Sequence, residues 1–175
     1  SSAMPTVDVV MARHVFCHVD DWHGFVKSLD VVCQKETLVV IEVPYVADLL
    51  KQVQFDTIYH EHLSYMNVRA MVALLDGTPF KLHAVQHFPI HAGAIVLYLR
   101  RRDYNGLADD SVESYLAQEI ASLDIEAWNL FNGKAKSNIA ALKDTVLELT
   151  RNGKSVCGFG ASAKSTVWVQ ACKFT

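Results

Sequence analysis

The run TLVVIEV at Thr37–Val43 is almost continuously apolar and rich in β-branched side chains. Such a run is typical of a strand that is buried on both faces of a sheet. Pro44 ends the strand, because proline has no N–H to donate to a strand ladder. Upstream, the run VDVVMA at Val7–Ala12 has the same character. We therefore predict two buried strands of one sheet.

A helix is predicted between these two strands. Asp20 offers an N-cap, and apolar residues follow at helical spacing from Trp22 to Cys33. The connection of roughly two dozen residues has the length of a parallel crossover and is too long for a hairpin. Beyond the second strand, Tyr45–Val53 predicts a short helix and Gln54–Tyr65 an irregular loop, and Asn67 can cap a further helix.

The pattern then changes to two strand-like runs, Phe80–Phe88 and Ala94–Arg101, joined by five residues that include Pro89 and Gly93. A connection of this length and composition predicts an antiparallel hairpin. The predicted fold class is therefore α/β, with strand-helix-strand-helix followed by a terminal antiparallel hairpin. This order resembles the second half of a class I methyltransferase sheet, a partial Rossmann-like arrangement, here followed by a helical connector.

The polar, glycine-containing stretch Arg102–Ala108 predicts the main domain boundary. We expect residues 1–102 to form half of an α/β domain and residues 103–152 to form the helical connector. Residues 153–175 are expected to begin a second Rossmann-like domain.

The connector has clear helix signals. Asp110 with Glu113 has the spacing of a capping box, and Ile125–Asn152 carries apolar residues spaced by three and four. Lys154–Phe159 then predicts a strand, followed by a glycine turn and a helix from Ala161.

Composition excludes several functional classes. The 175 residues are 51% hydrophobic and 20% charged with a net charge of −3, and no basic block marks a nucleic-acid surface. No apolar run reaches the ~20 residues of a membrane span, and no signal-peptide layout is present, so we expect a cytoplasmic protein without membrane contact. Four scattered cysteines predict buried free thiols in a reducing compartment.

The densest set of reactive side chains is DTIYHEHLSY at Asp56–Tyr65. It lies on a loop after a strand, where open α/β sheets bind their ligands. Histidine is a competent base near neutral pH, an adjacent glutamate can orient it, and tyrosine hydroxyls can hydrogen-bond a developing oxyanion. The set therefore suits proton abstraction. A surface loop with polar side chains that cap nearby backbone remains the alternative.

A metal site is a competing interpretation of His60, Glu61 and His62. Zinc hydrolases with the H-E-x-x-H pattern place two histidines four residues apart on one helical face. Here the second histidine comes after two residues, and a third ligand would have to come from elsewhere. We therefore predict no metal site from this pattern.

Two segments, Ile41–Tyr45 and Gln54–Tyr65, resemble the S-adenosylmethionine-dependent sugar C-methyltransferases, which act on nucleotide-linked 4-keto deoxysugars. Ala12–Val19 also resembles the family's fourth-strand segment, including its histidine. His91–Ala94 (HAGA) stands where the family usually has His-Gly-Gly-Ser, and Gly160–Lys164 (GASAK) is similar to the turn that opens the family's C-terminal domain.

The resemblance implies a reaction and a set of roles. A base removes the proton next to the sugar ketone, and the enolate carbon takes the methyl group of S-adenosylmethionine. The resemblance implies that His62 is the base, with Glu61 beside it, and that Tyr59 and His18 contact the ketone or its enolate. The candidate substrate-binding residues are His91 and Lys164.

The sequence also departs from the family. It has neither the cysteine-rich zinc domain nor the glycine-rich first turn that binds S-adenosylmethionine. We therefore expect a fragment or truncated homologue that does not bind S-adenosylmethionine on its own. We also expect a homodimer or higher oligomer, with helices from Ile125–Asn152 as candidates for exchange.

Two alternatives remain open. One is an inactive, oligomeric truncated protein that at most binds a nucleotide-sugar. The weaker one is a dinucleotide-binding oxidoreductase built on Gly158–Ala163, which fits G-x-G-x-x-A.

Overall fold

A computed structural model of the chain describes residues 6–90, 92–107 and 109–174. The described strands are β1 (Val7–Arg13), β2 (Cys33–Pro44), β3 (Phe80–Phe88) and β4 (Ala94–Arg101). The described α-helices are α1 (Trp22–Val32), α2 (Val46–Lys51), α3 (Val68–Leu74), α4 (Ser111–Ser122), α5 (Ile125–Arg151) and α6 (Ala163–Cys172). Two short 3-10 helices lie at Phe16–His18 and Phe55–Thr57.

The strands form one mixed sheet with the order β1-β2-β4-β3. Strands β1 and β2 are parallel, with Ala12 opposite Ile41. Strand β4 is antiparallel to both of its neighbours, with Leu97 opposite Ile41 on one side and opposite Val85 on the other. The second strand of the predicted hairpin thus inserts between β2 and β3. The fold is that of a partial class I methyltransferase-like α/β domain, which confirms the predicted fold class.

Side-chain caps begin two helices of the α/β domain. Asp21 caps α1, because its Oδ1 accepts a hydrogen bond from the Gly24 N–H at 2.8 Å. The prediction that Asp20 caps this helix is wrong by one residue, and Asp20 instead accepts from the Asp21 N–H at 2.8 Å. Asn67 caps α3 as predicted, with its Oδ1 accepting from the Ala70 N–H at 2.7 Å.

The main core lies where α1 and α3 pack against the sheet. Val26 of α1 and Met71 of α3 are buried in the same cluster as Ile41 of β2. The prediction that the first strand is buried on both faces is wrong, because β1 lies at the edge of the described sheet and its two faces differ. Ala12 faces the core, whereas Val9 and Met11 are 52% and 62% exposed.

A second, smaller core joins the C-terminal helices to the α/β domain. Phe131 and Ala135 of α5 pack with Leu49 of α2 and with Phe55. Trp168 of α6 adds an edge-on aromatic contact to Phe55, with ring centroids 4.5 Å apart. This second core places α6 beside the loop that follows α2.

Three expectations for the C-terminal part are corrected. Lys154–Phe159 is exposed and is not a strand, because no described strand lies beside it to share backbone hydrogen bonds. Helix α6 begins at Ala163, with Ser162 as its N-cap, and not at Ala161. Asp110 makes no capping-box hydrogen bond, and Asp109 Oδ1 instead accepts from the Ser111 N–H at 2.7 Å.

The four cysteines are free thiols, and three of them, Cys17, Cys33 and Cys172, are buried as expected. Cys157 is exposed, because it lies in the irregular segment where a buried strand was predicted. Among the described residues, no helix is both long enough and apolar enough to cross a lipid bilayer.

Candidate functional site

The loop after α2 is held against the segment after β1 by backbone hydrogen bonds. The Leu63 and Ser64 N–H groups both donate to the Cys17 carbonyl, at 2.9 and 3.2 Å. Cys17 lies in the 3-10 helix Phe16–His18, just beyond the carboxyl end of β1. Because β1 and β2 are parallel, the segments that follow them meet at one edge of the sheet. This arrangement brings His18 close to His62.

Backbone carbonyls orient both imidazole rings. His62 Nδ1 lies 2.9 Å from the Thr57 carbonyl oxygen, and His18 Nδ1 lies 2.6 Å from the Glu61 carbonyl oxygen. A carbonyl oxygen only accepts hydrogen bonds, so each Nδ1 carries the proton. In the neutral rings, Nε2 therefore holds the free lone pair. The two ring centroids are 5.1 Å apart.

Tyr59 completes the central group. Its hydroxyl lies 3.0 Å from His62 Nε2 and donates to that lone pair. Burial raises the pKa of Tyr59, and the negative charge of Glu61 adds to this shift. The phenol therefore stays protonated at neutral pH and acts as a hydrogen-bond donor.

The pKa of His62 is shifted in the opposite direction. Burial lowers it, and nearby positive charge on His18 and Lys164 lowers it further, whereas the Thr57 hydrogen bond and the Glu61 charge raise it. A lowered pKa keeps the imidazole unprotonated at neutral pH. His62 is thus available as a proton acceptor without first losing a proton of its own.

A cavity of about 430 Å³ opens beside these side chains. It is lined by residues that follow β1 and β2, by the β3–β4 connection and by α6: His14, Cys17, His18, Pro44, Gln54, Thr57, His62, Ala92 and Lys164. Gln54 closes one side by donating from Nε2 to the Ala92 carbonyl at 2.5 Å. The volume is suited to a small organic ligand.

Two residues that line the cavity adopt the left-handed backbone conformation that favours glycine. His14 has φ +51° and Ala92 has φ +68°. This conformation costs a residue with a Cβ atom roughly 1–2 kcal/mol, and such strain concentrates at functional sites. Ala92 stands where the similar family usually has glycine. The left-handed backbone conformation that favours glycine is therefore present at this position although the residue is alanine.

The predicted site residues fall into three groups. The structure brings Tyr59, His18 and His62 together, and Lys164 lines the same cavity. The Glu61 side chain is 60% exposed, and its carboxylate lies 3.9 Å from His60 Nε2. The contact of Glu61 with His18 is made by its backbone carbonyl, which lies 2.6 Å from His18 Nδ1. His91 lies outside the described residues.

Residue-type patterns in the sequence did not single out Cys17, Thr57 or Gln54 as site residues. Thr57 acts through its carbonyl oxygen and Cys17 contributes a carbonyl that anchors the loop, so neither function leaves a side-chain signal. Gln54 lies within the Gln54–Tyr65 run that carries the family resemblance. The resemblance of this run to the family was therefore the one sequence signal that could have marked Gln54 as a site residue.

The glycine turn at Gly158–Ala163 does not have the context of a dinucleotide site. Its residues are exposed or half-buried, and the segment before the turn is not a strand. Within the described residues, no glycine-rich turn follows β1 or β2 either.

Two family models together cover nearly the whole chain. A methyltransferase domain matches residues 2–85, and a C-methyltransferase C-terminal domain matches residues 89–175. C-methyltransferase NovU from Streptomyces niveus is 28% identical over 166 residues, or 94% of this chain. The chain spans 40% of the length of that curated relative. The sheet with its inserted antiparallel strand agrees with these matches, and the chain belongs to the C-methyltransferase family.

Proposed function

We propose that this chain carries the proton-abstracting site of a C-methyltransferase that acts on nucleotide-linked 4-keto deoxysugars. The observation that carries the proposal is the state of His62. Its Nδ1–H is held by the Thr57 carbonyl, its Nε2 lone pair meets the Tyr59 hydroxyl, and burial lowers its pKa. A fixed, unprotonated imidazole beside a phenol donor suits the removal of a proton next to a ketone.

In the proposed step, His62 Nε2 takes the proton from the carbon next to the sugar ketone. The C–H electron pair forms the enolate, and the ketone oxygen gains negative charge. The Tyr59 hydroxyl then donates to this oxygen instead of to His62, and His18 lines the same cavity. Lys164, at the cavity wall, is suited to an anionic part of the substrate such as its phosphates.

Methyltransferases of this kind use S-adenosylmethionine, whose sulfonium supplies the methyl group that the enolate carbon takes. Because no glycine-rich turn follows β1 or β2 among the described residues, we expect calorimetric titration of the chain with S-adenosylmethionine to show no binding. The proton-abstracting site is therefore tested without the methyl donor.

The test is solvent exchange. The chain is incubated with a nucleotide-linked 4-keto deoxysugar in D₂O, and deuterium incorporation next to the ketone is followed by NMR. We expect His62→Gln to slow the exchange by about 10²–10⁴-fold, the usual contribution of a general base. The matched control is His60→Gln, since the His60 side chain is 88% exposed and outside the cavity, and it should exchange at the parent rate.

Equal exchange rates for His62→Gln and the parent chain would reject the assignment of the base. Circular dichroism of each variant checks that a slow rate does not come from unfolding. The inactive alternative, a protein that at most binds the nucleotide-sugar, predicts substrate binding without any exchange in the parent chain.

A further inference from the structure

We propose that Cys17, His18 and His62 form a binding site for a divalent cation that prefers nitrogen and sulfur ligands, with Zn²⁺ as the favoured ion. The sequence alone predicted no metal site, because His60, Glu61 and His62 lack the required spacing. The fold changes the ligand set, since it replaces His60 and Glu61 with two residues from the segment after β1.

The first argument is distance. The three side chains each offer one ligand atom, and these atoms all lie within 4.8 Å of one another. Around a tetrahedral Zn²⁺, with Zn–S of about 2.3 Å and Zn–N of about 2.0–2.1 Å, neighbouring ligand atoms stand roughly 3.3–3.7 Å apart. Closing the site therefore requires these ligand atoms to approach one another by at most roughly 1.5 Å.

The second argument is the orientation of the two imidazoles. Histidines that bind metals usually donate their other ring N–H to a carbonyl or carboxylate, which fixes the ring and its tautomer. Both histidines already do so, His62 to the Thr57 carbonyl and His18 to the Glu61 carbonyl. In each ring the lone pair that remains for a metal is on Nε2.

The third argument is the environment. Cys17 is a buried free thiol, whereas His18 is exposed. The cluster therefore combines a solvent-accessible imidazole with a thiol that is shielded from solvent. Three protein ligands leave the fourth tetrahedral position open to water, as in zinc sites that are accessible to small molecules.

A consequence rests on the proposed function. If His62 Nε2 is the proton acceptor, a bound cation occupies the same lone pair and displaces the Tyr59 hydroxyl. Zn²⁺ is then expected to inhibit the exchange reaction. In the Cys17→Ala variant, the same degree of inhibition should require at least about 10-fold more Zn²⁺ than in the parent chain.

Binding is tested without any sugar, so its outcome is separate from that of the proposed function. The exposed thiol of Cys157 is first removed as Cys157→Ser, so that it cannot bind metal adventitiously. Co²⁺ is titrated into this chain, and we expect one equivalent to produce a thiolate-to-cobalt charge-transfer band. Added Zn²⁺ should abolish the band, which gives the Zn²⁺ affinity by competition.

In the Cys157→Ser chain, the further substitution Cys17→Ala should abolish the charge-transfer band and weaken Zn²⁺ binding by at least about 10–100-fold. Loss of a residue that only hydrogen-bonds to a metal ligand already lowers metal affinity by that factor. Cys33→Ala is the matched control, because Cys33 is also a buried free thiol but lies outside this cluster, and it should keep the band. His18→Ala changes an exposed residue and should weaken Zn²⁺ binding without affecting folding. The proposal is overturned if the parent chain shows no band, if the band survives in Cys17→Ala, or if His18→Ala binds Zn²⁺ with parent affinity.

Discussion

Glu42 places a negative charge among the buried residues of β2. Its side chain is only 6% exposed, and its oxygens lie 2.6 Å from Arg13 Nε and 2.9 Å from His14 Nε2. The hydrogen bond from Arg13 lowers the pKa of Glu42, against the raising effect of burial. The folded chain therefore binds the Glu42 proton at lower pH than the unfolded chain, in which the pKa of glutamate is about 4.3. The resulting stability is complete above that value and is lost as the pH falls through the folded pKa.

We expect Glu42→Gln to remove this part of the pH dependence. At neutral pH the variant should lose roughly 1 kcal/mol, a modest value because Arg13 is open to solvent. As the pH falls through the lowered folded pKa of Glu42, the parent chain also loses the charge, so the two chains should converge in stability. Urea unfolding between pH ~7 and ~3 measures this. Glu36→Gln, an exposed position on the same strand, is the control, and a parallel loss of stability with pH in parent and Glu42→Gln would contradict the prediction.

At the site, the sequence predicts residue types better than their contacts. Tyr59 and His62 lie three residues apart, and their cooperation follows from one short loop. The pairing with His18 depends on the parallel order of two strands, which the crossover length indicated. The outward position of the Glu61 carboxylate was not predictable, because the choice between side chain and carbonyl is made by the local backbone turn.

Among the elements, α3 and α4 are joined through a buried carboxylate. Glu119 of α4 is 1% exposed, yet it accepts hydrogen bonds from the Val68 N–H at 2.7 Å and the Arg69 N–H at 2.9 Å. It also accepts from the Tyr45 hydroxyl at 3.0 Å. Val68 and Arg69 are the first two residues of α3, so the carboxylate satisfies N–H groups that a helix cannot pair itself and is stabilised by the helix dipole.

We expect Glu119→Gln to destabilise the chain by about 2–3 kcal/mol. The glutamine amide keeps one acceptor but turns an NH₂ group toward an N–H donor, which leaves a buried donor without a partner. Chemical denaturation measures the loss, and Glu113→Gln, at an exposed position of α4, should change stability by less than ~0.5 kcal/mol. Equal effects of the two substitutions would show that the buried carboxylate does not hold α3 and α4 together.

Elements whose ends are fixed by nearby residues are easier to predict from sequence than elements that depend on distant partners. The hairpin strands Phe80–Phe88 and Ala94–Arg101 have the predicted bounds, because a turn with proline and glycine fixes both ends locally. Lys154–Phe159 has comparable strand propensity but no described neighbour to pair with, so it stays irregular. The buried Glu119 was hidden for a similar reason, since its partners lie about 50 and 74 residues away in the chain.

At the scale of the whole molecule, one face of the sheet near β1 is left exposed to solvent. β1 lies at one edge of the described sheet, and Val9 and Met11 are more than half exposed on the face opposite Ala12. The neighbouring positions in β2 on that face, Leu38 and Val40, are only partly buried. An apolar face that continues to an open strand edge is a typical site of association between copies.

We therefore expect the chain to self-associate at tens of micromolar, a range in which such surfaces meet. Met11→Lys places a charge on the exposed face, and should shift the mass measured by light scattering toward the monomer without lowering the unfolding temperature, because Met11 is not part of the core. Leu107→Lys is the matched control, since Leu107 is also exposed and apolar but lies between β4 and α4, and it should leave the mass unchanged. A monomeric parent chain would refute self-association. An equal shift in both variants would mean that an added positive charge reduces self-association wherever it is placed. A shift confined to Met11→Lys would assign the contact to the open face of the sheet.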